Sequence, residues 1–372
     1  MKYLEVGPVI HGCDTFKEFV EEFKVDSNDL VLTNKYIYEP LLTDCNPGCH
    51  VIYQEEYGKG EPSDVMCQAL MDEVDKVDFN RLIAIGGGAV MDLAKFLVLK
   101  RTNHIDDLYA DHANVVKNKH LITVPTTAGT GSEITNVAVL IRTSMNDLKM
   151  GLQTPDMYAD EAVLIPQMLN TVPYKIYANT SVDALIHAVE AFISKDWTPF
   201  TELYAIHAIK MILNGYINVR DNGPDSRFET NKKSMIASTF AGLAFGTSGC
   251  GTVHACSFAF GGKYHVPHGE ACYQFFMETL RYFQKHDPNG RMKELNALLC
   301  ELLEVKDGDG LAALENLLEA ISPLQKMSAY GAVKEDVRAF AETTFKNQQR
   351  LLGRNAYTLD VDDLEAIFAA RL

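Results

Sequence analysis

The sequence predicts an α/β domain on a doubly wound parallel sheet, followed by an all-helical domain, and three observations carry that prediction. Helical and extended patterns alternate through the first 170 residues, strand patterns fade beyond that point, and two glycine-rich loops each close an apolar strand. Strands separated by helices pair in parallel and wrap both faces of one sheet.

Taken in order, DTFKEFVEEFKV at 14–25 brings Phe16, Phe19, Val20 and Phe23 onto one helical face, and DLVLTN at 29–34 follows as a short strand. The alternation continues through the strand HVIYQEE (50–56) and the helix DVMCQALMDEVDKV (64–77). RLIAIGGG (81–88) is the next strand, a helix runs on to Leu99, and HLITVPTT (120–127) is a strand again. From there SVDALIHAVEAFIS, LYAIHAIKMIL, LAALENLLEAI and EDVRAFAETTF all carry helical spacing. NTVPYK at 170–175 combines Asn, Pro and polar residues between the two regimes, which sets the expected domains at 1–170 and 171–372.

With 34 basic against 50 acidic side chains, the formal charge is −16. That balance leaves no electrostatic footprint for a nucleic-acid backbone. MKYLEVGPVIHGCD lacks the apolar core of a signal peptide, and no run approaches the roughly 18 apolar residues of a membrane span, so a cytoplasmic protein is expected. The eight cysteines show no paired CxxC spacing and are expected as free thiols.

RLIAIGGGAVMDLAK places Gly86, Gly87 and Gly88 between a buried strand and a helix. The arrangement is either a tight turn or a cradle in which bare backbone amides meet a phosphate. The second loop, VPTTAGTGSE at 124–133, offers Thr126, Thr127, Thr130 and Ser132 among two more glycines, again at a strand end. Two such loops at the carboxyl ends of parallel strands are where an open α/β sheet binds its ligand.

In SVDALIHAVEA, Asp183 and His187 stand four residues apart on one face of a helix that Thr180 or Ser181 is placed to cap. They are either a local cap and a core histidine or half a metal site. GCGTVHACSFAFGGKYHVPHGEAC (249–272) adds His254, in a helix, and His268, after Pro267 at a helix start. Brought together with Asp183 and His187 by the fold, which spacing alone does not prove, these two would make an oxygen and nitrogen donor set suited to Fe²⁺ or Zn²⁺.

GGGAVMD, PTTAGTGSE, DALIHAVEA and the pair VHA and PHGEA, in this order, resemble the iron-containing (group III) alcohol dehydrogenases. The resemblance implies an amino-terminal dinucleotide-binding domain, a helical metal-binding domain, and a cleft holding NAD and the metal. Carried over by motif, the metal ligands are Asp183, His187, His254 and His268. The cofactor phosphates would lie on Gly86 to Gly88 with Asp92 nearby, Thr126, Thr127 and Thr130 would line the nicotinamide side, and Lys149 of LKMGLQ would contact the cofactor. At the end of VLTN, relatives often place an acidic residue for the ribose 2′-hydroxyl; here Asn34 stands there, which favours NAD by a modest margin.

A further histidine, four residues after the first of the pair in many relatives, passes a proton to water; here it is Phe258, and His265 either takes over that role or packs beside the site. The run GxVHAxSxxxGGxYHVPHGEA without that histidine most resembles the 4-hydroxybutyrate dehydrogenases of the family. It implies a primary alcohol or aldehyde substrate bearing a carboxylate, for which Lys263 and Arg281 are the nearest basic candidates. A general short-chain alcohol dehydrogenase, a dehydroquinate synthase-like lyase and a non-catalytic nucleotide-binding protein are the other readings. A homodimer or larger assembly is implied by the resemblance.

Overall fold

The computed structural model describes residues 2–145, 147–306 and 308–372. They form two compact units, Val6–Val172 and Pro173–Leu372, the latter together with residues 2–5. The amino-terminal residues therefore group with the helical unit, which the expected boundary did not anticipate. They are tied there by Thr198 Oγ1 donating to the Tyr3 carbonyl (2.6 Å) and by the Glu5 amide donating to Thr247 Oγ1 (3.1 Å).

Among the described residues the first unit carries eight strands: β1 (Val9–Gly12), β2 (Asp29–Thr33), β3 (His50–Tyr53), β4 (Arg81–Gly86), β5 (His120–Pro125), β6 (Val137–Arg142), β7 (Leu148–Gln153) and β8 (Glu161–Leu164). Six form one parallel sheet in the order β1-β8-β5-β4-β2-β3, and β6 and β7 form an antiparallel pair. The helices α1 (Phe16–Phe23), α2 (Lys35–Leu41), α3 (Asp64–Val74), α4 (Gly88–Leu97) and α5 (Ile105–Ala110) connect them.

Side-chain alternation divides the core between the two sheet faces. Leu30, Leu32, Leu82, Ala84 and Leu121 pack with α3 and α4, whereas Val31, Ile83, Ile85, Ile122 and Val124 pack with Phe16, Phe19 and Val20 of α1. Local caps fix the helix starts: Thr15 accepts from the Glu18 amide and Ser63 from the Met66 amide. The strands β1, β6, β7 and β8 were not anticipated. β1 and β8 are only four residues each, too short to show a period.

The second unit contains α6 (Tyr174–Ile193), α7 (Pro199–Asn222), α8 (Asn231–Ser248), α9 (Thr252–Tyr264) and α10 (His268–His286), with further helices at Arg291–Leu302, Gly310–Ile321, Lys334–Asn347, Gln349–Leu352 and Val361–Ala369. Among its described residues, strand pairing is limited to an isolated bridge between Ser194 and Asn355. α6 starts after Pro173, so Thr180 and Ser181 do not cap it. Both lie inside the helix and donate back to the carbonyls of Ile176 (2.9 Å) and Ala178 (3.1 Å).

Candidate functional site

In the sheet unit, strand register sets the two glycine-rich loops side by side. Gly86 at the end of β4 pairs with Pro125 at the end of β5, and the Thr126 amide donates to the Gly86 carbonyl (3.0 Å). The approach is close: a Cβ on Gly88 would lie 2.7 Å from Thr130 Cγ2, and one on Gly87 would lie 3.6 Å from Thr127 Oγ1. Gly87 is the N-cap of α4 and brings no side-chain cap to the first amides of the helix.

The charged residues expected at the cofactor are engaged within the unit. Asp92 accepts from Ser132 Oγ (2.5 Å) and from the Val139 amide (2.9 Å). Lys95, fully buried, donates to Ser132 Oγ and the Val137 carbonyl, both at 2.7 Å. This pair therefore anchors the threonine loop to α4. Lys149 is buried on β7 and pairs with Glu61. Asn34, at the start of α2, donates to Gln54 Oε1 (3.1 Å) and Glu55 Oε2 (2.8 Å), while Glu55 Oε1 accepts from the Lys35 amide (2.7 Å). A carboxylate thus stands beside position 34, supplied from after β3.

In the helical unit, α6, α9 and α10 bring all four expected metal donors together. His254 Nε2 lies 3.6 Å and His268 Nε2 3.8 Å from Asp183 Oδ1, and His187 Nδ1 lies 4.0 Å from Asp183 Oδ2. The His187 and His254 rings stack at 4.5 Å, and the Phe245 ring stacks on His187 at 4.1 Å. Asp183, His187 and His254 are buried.

Glu190, one turn beyond His187, accepts from His254 Nδ1 (2.6 Å) and from the Val253 amide (2.7 Å). The bond holds the ring so that Nε2 faces Asp183. Among the described residues, Asp183 Oδ1 and His254 Nε2 are buried atoms without a hydrogen-bond partner. Leaving such atoms unpaired costs about 1–3 kcal/mol each, and a divalent cation satisfies both. The donors therefore fit an ion of the Fe²⁺ or Zn²⁺ class.

Charge coupling inside this cluster is strong. Burial alone would raise the Asp183 carboxyl, but the neighbouring imidazoles of His187, His268 and His254 hold it far below the carboxylate range. Burial opposes charge on His268, yet Cys272 and Asp183 push it up to about 9. Two cysteines join the set: despite burial, His254 and its neighbours bring the Cys250 thiol down to about 7 and the Cys272 thiol to about 6.

Sequence reasoning missed Glu190, Cys250 and Cys272. The signal for Glu190 lay within DALIHAVEA itself, because residues 183, 187 and 190 share one helical face. The ring contacts that join the cluster do not include His265, which is exposed and closes α9 in the left-handed conformation (φ 51°). Phe258 lies 6.1 Å from the His268 ring. The two basic candidates for a substrate carboxylate are already paired, Lys263 with Asp336 and Arg281 with Glu278 (3.1 Å) and Glu315.

The sequence matches the family model for iron-containing alcohol dehydrogenase over residues 7–166 and that for the carboxy-terminal part of the Fe-containing alcohol dehydrogenase family over 177–372. It is 41% identical over 364 residues to a 4-hydroxybutyrate dehydrogenase of Clostridium kluyveri, covering 98% of each chain. A probable alcohol dehydrogenase of Salmonella typhimurium is 32% identical over 77% of this chain and 72% of that one. An alcohol dehydrogenase structure from Oenococcus oeni shares the fold, with a TM-score of 0.84 at 23% identity over 99% of each chain.

Proposed function

The chain belongs to the iron-containing alcohol dehydrogenase family, and we propose that within it the protein interconverts 4-hydroxybutyrate and succinate semialdehyde with NAD. It is an oxidoreductase of the alcohol dehydrogenase type. The observation that carries the substrate is the full-length likeness to the Clostridium kluyveri enzyme. In the oxidation direction, 4-hydroxybutyrate and NAD⁺ give succinate semialdehyde, NADH and a proton.

Asp183, His187, His254 and His268 would hold the divalent ion, and the buried unpaired atoms Asp183 Oδ1 and His254 Nε2 support that assignment. A bound ion of this class lowers the pKa of an alcohol and polarises an aldehyde, while the nicotinamide ring carries the hydride. Glu190 orients His254, and burial excludes water from Asp183, His187 and His254. Gly86 to Gly88 with the uncapped α4 would receive the cofactor phosphates, and Thr126, Thr127 and Thr130 would line the adjoining loop. Asp92 holds that loop in place, and Lys149 lies on the neighbouring hairpin. Glu55, held by Asn34, would bind the ribose hydroxyls and repel a 2′-phosphate, which favours NAD over NADP.

A carboxylate in a dry site needs a cation or several donors to offset its desolvation. Lys263 and Arg281, the basic residues nearest His268 in sequence, are each engaged by an acidic side chain, Asp336 and Glu315. His265 is the proposed proton carrier, as an exposed imidazole three residues before His268. A cytoplasmic homo-oligomer accompanies this reading. Free thiols at all eight cysteines support the compartment, and the edge strand β1, with Val9 and Ile10 exposed, supports self-association.

The test is an anaerobic steady-state comparison of 4-hydroxybutyrate with 1-butanol, using metal-reconstituted protein and both nicotinamide cofactors. A kcat/KM at least about tenfold higher for the acid is expected, corresponding to about 1.4 kcal/mol of differential transition-state binding. Equal values would mark a general short-chain alcohol dehydrogenase.

A further inference from the structure

We propose that Cys272 is itself a metal ligand, so that the centre presents a sulfur donor and takes a thiophilic ion of the zinc class. The proposal rests on the reading that a divalent ion binds at Asp183. Cys272 lies one turn after His268 on the same face of α10 and is fully buried. Its Sγ stands 3.8 Å from both ring nitrogens of His268.

Ligand atoms of Asp183, His254, His268 and Cys272 all lie within 4.8 Å of one another. A tetrahedral ion with bonds of about 2.0–2.3 Å has ligand-to-ligand edges of roughly 3.3–3.8 Å. The edges Asp183 to His254 (3.6 Å), Asp183 to His268 (3.8 Å) and His268 to Cys272 (3.8 Å) fall in that range. Two further atoms point to the same centre: Asp183 Oδ1 and His254 Nε2, on side chains 2% and 4% exposed, have no hydrogen-bond partner. A thiol at this corner adds a sulfur donor to the oxygen and nitrogen donors of Asp183, His187, His254 and His268.

The chemistry follows from the donor. On binding, the Cys272 thiol gives up its proton to solvent and the thiolate bonds the ion, with no change of oxidation state. Thiolate is a soft ligand that favours zinc, and cobalt as its spectroscopic substitute, over purely oxygen and nitrogen sites. The two charges of Asp183 and Cys272 also neutralise a divalent cation in a buried site, which lowers the cost of placing the ion there.

The experiment is X-ray absorption on the zinc-loaded enzyme, paired with the near-ultraviolet thiolate charge-transfer band of the cobalt-loaded enzyme. Expected for the unmodified chain is a sulfur scatterer at about 2.3 Å together with the cobalt band. Both should be lost in Cys272→Ser and retained in Cys250→Ser. A bound ion with only nitrogen and oxygen neighbours overturns the proposal and leaves the metal reading standing, as does a sulfur signal that survives Cys272→Ser and disappears in Cys250→Ser. Failure to bind any ion overturns both. Because the unmodified enzyme alone can give the decisive nitrogen and oxygen result, a misfolded variant does not rescue the proposal.

Discussion

The glycine and threonine loops of the sheet unit and the histidine cluster of the helical unit are both proposed as ligand sites, yet they are built on opposite plans. In the loops, binding capacity lies in the backbone amides, and the charged side chains nearby are spent inside the fold: Asp92 on Ser132 and Val139, Lys95 on Ser132 and Val137, Lys149 on Glu61. The cluster instead leaves Asp183 Oδ1 and His254 Nε2 buried without partners. A backbone site is ready before its ligand arrives; a metal site is electrostatically incomplete until it does.

The contrast can be broken first at the cluster. Glu190→Gln keeps the shape of the side chain but removes the charge that orients His254. Metal affinity should fall about 10–100-fold, measured by competition with a chromophoric chelator, while the metal-free protein still folds. Unchanged affinity would assign Glu190 to packing.

At the loops, the corresponding change is Gly88→Ala. A Cβ there meets Thr130 Cγ2 at 2.7 Å, so the loop must shift, at a cost of about 1–3 kcal/mol in thermal or urea unfolding. Affinity for NAD⁺ should fall as well, with metal content unaffected. A loss of metal in this variant would show that the two sites are not separable as argued.

Acidity sharpens the difference further. His268, pushed up to about 9 in the metal-free protein against about 6.5 unfolded, contributes stability that is complete below pH 6.5 and is lost as pH rises through 9. Metal needs the neutral imidazole, so the gain in melting temperature on adding zinc should grow across that window. A gain independent of pH from 6.5 to 9 would remove His268 from the ligand set.

The smallest effect is expected outside both sites. Asparagine tolerates the left-handed backbone of residue 265, so His265→Asn preserves the turn and tests only the imidazole. Turnover in the oxidation direction should fall, most at low pH, as a lost proton carrier predicts. An unaltered pH profile would leave His265 with its turn alone.

How much of this could be read from the sequence follows the same division. The loops were legible because strand, glycines and helix are adjacent in the chain, and Asp183 with His187 because helical spacing places them on one face. That His254 and His268 reach Asp183 depends on how α6, α9 and α10 pack, and no local pattern contains it. Glu55 was hidden for a related reason, since it reaches Asn34 from another strand through parallel pairing of β2 with β3. Lys263 and Arg281 misled because nearness in sequence to His268 says nothing of the acidic partners Asp336 and Glu315, which come from distant helices.

The central claim, that the buried cluster is a metal centre organised by Asp183, is tested most directly by metal analysis after anaerobic reconstitution and removal of loosely held ions. The unmodified protein should retain one divalent ion per chain. Asp183→Asn, nearly identical in size but without the charge, should lose affinity by more than about 100-fold, since outer partners alone account for 10–100-fold. Equal stoichiometry and affinity in the two proteins would contradict the account.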